Sequence, residues 1–130
     1  MNEAQARRYL ASLAKAPGLE TGAVIGLSID GCRVEFTPAP DNLAWSCRLD
    51  MPGADNMTGT SAFDKDILGM LLEVNGMGHA AAFAMTDTGE LLLRGGTLLN
   101  GLDEDVLDAQ IGEFIDYVEY WRQQLSQLAG

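Results

Sequence analysis

Seven apolar residues near the end of the chain, Leu107, Ile111, Phe114, Val118, Trp121, Leu125 and Leu128, follow one another at steps of 4, 3, 4, 3, 4 and 3. Such steps stay on one side of a helix with 3.6 residues per turn, so they predict one unbroken apolar seam. At 1.5 Å per residue the seam is about 30 Å long. A seam of that length must be covered by a sheet or by another helix. The start of the helix is marked by Asp103 as N-cap, with Glu104 and Asp105 in the first turn, where negative charge meets the positive end of the dipole. Leu102 and Leu107 flank that cap as a hydrophobic staple.

The rest of the chain supplies the cover. Ala6, Tyr9, Leu10, Leu13 and Ala14 fall at i, i+3, i+4, i+7 and i+8, which predicts a first helix stopped by Pro17-Gly18. Three strands follow. Val24 to Ile29 turns through Asp30-Gly31 into an alternating strand over Arg33–Thr37. Pro38, Pro40 and Asp41-Asn42 break it, and Leu43 to Met51 alternates again. Pro52 ends that strand, because proline has no N–H for a ladder, and Pro52 to Thr60 reads as loop. A middle helix runs from about Ser61 or Asp64 to Val74. Ala80–Thr86 and Glu90–Arg94 form a last hairpin around Asp87-Thr88-Gly89, and Gly95-Gly96-Thr97 leads out of it. The order is α-βββ-α-ββ-α. With 130 residues this is one α+β domain over residues 1–130, a twisted antiparallel sheet with helices packed on it. A chain this long buries roughly two-thirds of its unfolded surface, with no need of a disulfide or metal.

Charge and residue counts restrict function. Eight Lys and Arg stand against 19 Asp and Glu, a net charge of −11. Such a surface repels phosphate backbones and anionic lipid, so nucleic acid and membranes are excluded as expected partners. The longest strongly apolar run, Ala80 to Met85, is far below the ~20 residues of a membrane span. Arg7-Arg8 and the apolar residues after it read as part of an amphipathic helix, so the protein is expected to stay in the cytoplasm. Cys32 and Cys47 lack metal-ligand spacing and read as reduced strand residues. His79 has no nucleophile and acid beside it in any known pattern. Gly95-Gly96 lacks the Lys-Ser/Thr of a phosphate loop. The acidic group at Asp103–Asp108 satisfies a helix start. The chain is therefore expected to work without catalysis, cofactor or metal.

An apolar surplus remains. The middle helix is apolar nearly all round, and Ile67, Leu68, Leu71 and Leu72 are expected to bury one side against a second copy of the chain. Six methionines suit an adaptable binding surface. The element order, together with Leu68-x-x-Leu71-Leu72-Glu73-Val74-Asn75, the strand Ala80–Met85, Asp87-Thr88-Gly89-Glu90-Leu91-Leu92-Leu93 and the Glu119-x-Trp121-Arg122-x-x-Leu125 of the last helix, resembles the class I type III secretion chaperones, the Tir-chaperone (CesT-like) family. The resemblance covers about Ile67 to Leu125. The sequence departs from it in the short glycine-rich link after Asn75 and at Gly95-Gly96-Thr97. It implies a homodimer, or a heterodimer with a related chaperone, that binds the extended N-terminal segment of a secreted effector and keeps it soluble and export-competent without ATP. The candidate effector contacts are the apolar faces of the first helix (Leu10, Leu13) and of the strands (Ile29, Val34, Phe36, Trp45). Two other readings stay open: a regulatory or scaffold subunit of the secretion system with no effector client, and a small enzyme with an unrecognised site.

Overall fold

The structure, a computed structural model, describes residues 1–15, 23–49, 81–86 and 90–129. Helix α1 spans Glu3–Ala14. Asn2 caps it: its side-chain oxygen accepts from the Gln5 N–H at 2.8 Å, and the Gln5 side chain accepts from the Asn2 N–H at 2.8 Å. Two of the orphan donors of the first turn are thereby satisfied. The helix closes at Lys15 in the left-handed conformation, before Pro17.

Among the described residues, five strands form one antiparallel sheet: β1 (Ile25–Ile29), β2 (Cys32–Pro38), β3 (Asn42–Arg48), β4 (Ala82–Met85) and β5 (Leu91–Leu98), in the order β1-β2-β3-β5-β4. Asp30 and Gly31 both take positive φ, 50° and 81°, the backbone of a tight two-residue hairpin turn. The C-terminal helix, α2, spans Glu104–Ala129. Asp103 caps it, its carboxylate accepting from the Val106 N–H at 2.9 Å. Leu102 and Leu107 on either side of the cap are both buried.

Alternation decides which side of the sheet is covered. Cys32, Val34, Phe36 and Pro38 of β2 are buried, and Arg33, Glu35 and Thr37 between them are exposed. Both helices contribute to the core that meets this inner face. Trp45 lies between Phe36, at 6.0 Å centroid distance, and Phe114 of α2, at 6.2 Å, and Phe83 meets Trp121 edge-on at 5.0 Å. The predicted seam is the buried side of α2 from Leu107 to Leu125. Arg122 ties the helix to the sheet, donating to Cys32 Sγ and to the Arg48 carbonyl, each at 3.4 Å.

Three strand ends differ from the sequence reading by two residues or more. β3 stops at Arg48, short of Met51, and β4 begins at Ala82. β5 does not end at Arg94: it continues through Gly95 and Gly96 to Leu98, paired with β3 as Trp45↔Gly95 and Ala44↔Gly96. The physical reason is space. Gly95 puts no side chain opposite the Trp45 indole, and a Cβ at Gly96 would sit 2.9 Å from the Leu43 carbonyl oxygen. The glycines keep the strand paired here. The predicted loop Pro52–Thr60, the middle helix with Ile67, Leu68, Leu71 and Leu72, His79 and the Asp87–Gly89 turn lie outside the described residues.

Candidate peptide-binding groove

β1 is an edge strand: among the described residues only β2 pairs with it. Beside the edge that no described strand pairs runs a groove of about 840 Å³. Its walls are the end of α1 (Leu13, Ala14), the β1 strand and turn from Gly26 to Asp30, and the first half of α2 (Asp108, Ile111, Gly112, Ile115, Asp116). Leu13 is 42% exposed, while Ile111 and Ile115 belong to the core and form an apolar floor. An exposed strand edge next to an apolar surface is a template for another chain.

The polar rim is acidic. Asp30, Asp108 and Asp116 line the groove with one cation, Arg33. Tyr9 reaches from α1 and donates to the Asp108 carboxylate at 3.1 Å, which fixes that carboxylate at the rim. Burial first, then the hydrogen bond and charge of Asp108, push the Tyr9 phenol up to about 12. Arg33 lies across Gly26, where a Cβ would run into its guanidinium.

Gly112 breaks a local rule. It sits inside a long helix, where glycine is about 1 kcal/mol less favourable than alanine. A Cβ there would meet no described atom within 4 Å, so no described neighbour requires its absence.

Of the residues singled out in the sequence, the structure brings Leu13 and Ile29 to this groove. Leu10, Val34 and Phe36 are 0% exposed and Trp45 is 5% exposed, so these four are core rather than surface. The correction has a simple cause. The α2 seam and the inner sheet face need these side chains to fill the space between them, and nothing is left over at those positions. The apolar period of the sequence does not mark Ile111, Ile115, Gly112, Asp108 and Asp116 as binding residues. The signal available for them is the glycine inside the helix, flanked by aspartates at i−4 and i+4.

The described residues contain no group of three or more His, Cys, Asp or Glu placed to hold a metal, and no helix long and apolar enough to cross a membrane. Cys32 and Cys47 are buried, and burial pushes the Cys32 thiol up against the opposing pull of Arg122. What the groove offers is a sheet edge, an apolar floor and an acidic rim.

This architecture is the fold of the type III secretion chaperones. A chain of the ExsC–ExsE complex matches with a TM-score of 0.73 at 21% identity, over 97% of this chain and 98% of that one. A chain of the heterodimeric ExoU–SpcU complex from the type III secretion system of Pseudomonas aeruginosa matches at 0.65 and 17% identity, over 94% and 95%. The structure of the Yersinia pestis type III secretion chaperone SycH with a stable fragment of YscM2 matches at 0.63 and 14%, over 91% and 98%. At these identities the likeness is one of fold. No family model and no curated protein sequence matches the chain.

Proposed function

We propose that the chain is a cytoplasmic type III secretion chaperone of the class I, Tir-chaperone kind. It holds an extended N-terminal segment of a secreted effector and keeps that segment soluble and export-competent, without ATP, metal or cofactor. The observation that carries the reading is the open β1 edge beside an apolar floor, in a fold shared with SycH, a secretion chaperone solved with a bound protein fragment. An extended client adds a sixth strand at β1 and seats alternate side chains toward Leu13, Ile111 and Ile115. Leu13 and Ile29 are the client contacts kept from the sequence. Two copies assemble through Ile67, Leu68, Leu71 and Leu72, which doubles the surface a long client can engage.

Amide hydrogen exchange tests the reading. The chain is compared alone and co-purified with the N-terminal segment of an effector from the same secretion system. Slowed exchange along Ile25–Ile29 is the expected result. A stable complex with unchanged exchange at β1 would move the client elsewhere, and absence of any complex would refute the chaperone role.

A further inference from the structure

The groove does more than accept any extended chain. Asp108 and Asp116 stand four residues to either side of Gly112, on one exposed line of α2, and all three border the groove. Eight residues of helix rise about 12 Å. Four residues of strand advance about 13 Å. The two aspartates are therefore spaced like residues i and i+4 of a strand lying along them. The β1 stretch Gly26–Asp30 that lines the same groove has that length too. Between the aspartates the helix presents Gly112, with open space where a Cβ would be. A side chain at i+2 of such a strand would settle there, above Ile111 and Ile115.

From this spacing we infer that the client strand carries a basic side chain on each side of an apolar one, at i and i+4 about an apolar i+2. Resting on the proposed strand addition at β1, this names the chemistry the site selects. The rim supports it. Three carboxylates and one guanidinium line the groove, and no described cation pairs with Asp116 or Asp30. Asp108 has one oxygen engaged by Tyr9, which leaves the other to accept from a client cation. Two acids held at strand spacing recognise two cations at once, and a neutral strand would leave both solvated. Gly112 belongs to the same device: a side chain there would fill the place of the i+2 residue.

Three end-blocked nine-residue peptides of strand-forming composition test it. They are identical except that the residues two before and two after a central Leu are both Arg, both Gln or both Glu. Binding is followed by NMR titration to millimolar concentration, with β1 amide protection as the readout of place. The Arg peptide is expected to bind at least tenfold tighter than the Gln peptide, and the Glu peptide weakest. Asp116→Asn should remove most of the Arg advantage, leave Gln binding unchanged and leave Tm unchanged. Gly112→Ala should weaken both the Arg and the Gln peptide while raising Tm, which a merely structural role of the glycine would not do. Equal binding of the Arg and Gln peptides with β1 protected would overturn the charge selection and leave strand addition standing. Failure of all three peptides to protect β1 would overturn strand addition, and the selection with it.

Discussion

A methyl group added at Gly96 would meet the backbone oxygen of Leu43 at 2.9 Å, and backbone in a paired strand has no easy way to yield. Gly96→Ala is therefore expected to destabilise the fold by about 1–3 kcal/mol, the range for overpacking, read as a lower urea midpoint. Gly112→Ala goes the other way, a gain of about 0.5–1 kcal/mol, because the added methyl meets nothing and helix propensity rises. Opposite signs from one substitution type separate a glycine required by packing from one that packing does not require. Tyr9 gives a test of a different kind. Its phenol is held neutral to about 12, by burial and by the Asp108 carboxylate it donates to. The folded value lies above the ordinary one, near 10, so this contribution to stability is complete below about pH 10. It is lost as pH rises through about 12. Phenolate absorbance, corrected with Tyr9→Phe, should show that late midpoint, and Asp108→Asn should bring it down only part of the way, since burial remains.

Elements were more legible than the positions that matter within them. The α2 seam, the α1 stripe, the Asp30-Gly31 turn and the alternation of β2 all follow from side-chain period, because one covered face is what a helix or strand needs. The extension of β5 through two glycines did not follow, because the close approach of the Leu43 carbonyl to Gly96 comes from a neighbouring strand. The groove was the least legible. It is made of residues from four elements, and Gly112, Asp108 and Asp116 lie on the exposed side of α2, where the apolar period carries no information. Leu10 and Leu13 show the limit within one helix. They belong to one stripe in the sequence, yet Leu10 is 0% and Leu13 42% exposed. Leu10→Ser is expected to cost at least as much as a Leu→Ala core truncation, about 2–5 kcal/mol. Leu13→Ser should leave the urea midpoint nearly unchanged and weaken client binding. Equal destabilisation by the two would make the whole stripe core.

Among the described residues, acidic charge is concentrated along one helix. The exposed side of α2 carries Glu104, Asp105, Asp108, Glu113, Asp116 and Glu119, while the outer sheet face carries Arg33, Arg48 and Arg94 together with Glu35. Arg48 meets Glu90 at 2.9 Å, a surface pair worth at most about 1 kcal/mol. A net charge of −11 opposes self-association through such surfaces, so a dimer has to be apolar at its centre. Light scattering at micromolar concentration should give about twice the 13.9 kDa of the chain, and Leu71→Asp should bring it to one chain length or unfold it. A clean monomer before substitution would refute the dimer. The open edge of β1 has a mechanical consequence for the proposed complex. Hydrogen bonds between strands lie across the strand direction. A client peeled away from one end at right angles to the sheet loads those bonds one after another, like a zipper. The same client pulled along its own length loads them all together. A secretion machine that draws the client off sideways would therefore meet little resistance at each step, while thermal agitation of the whole segment would meet all of it.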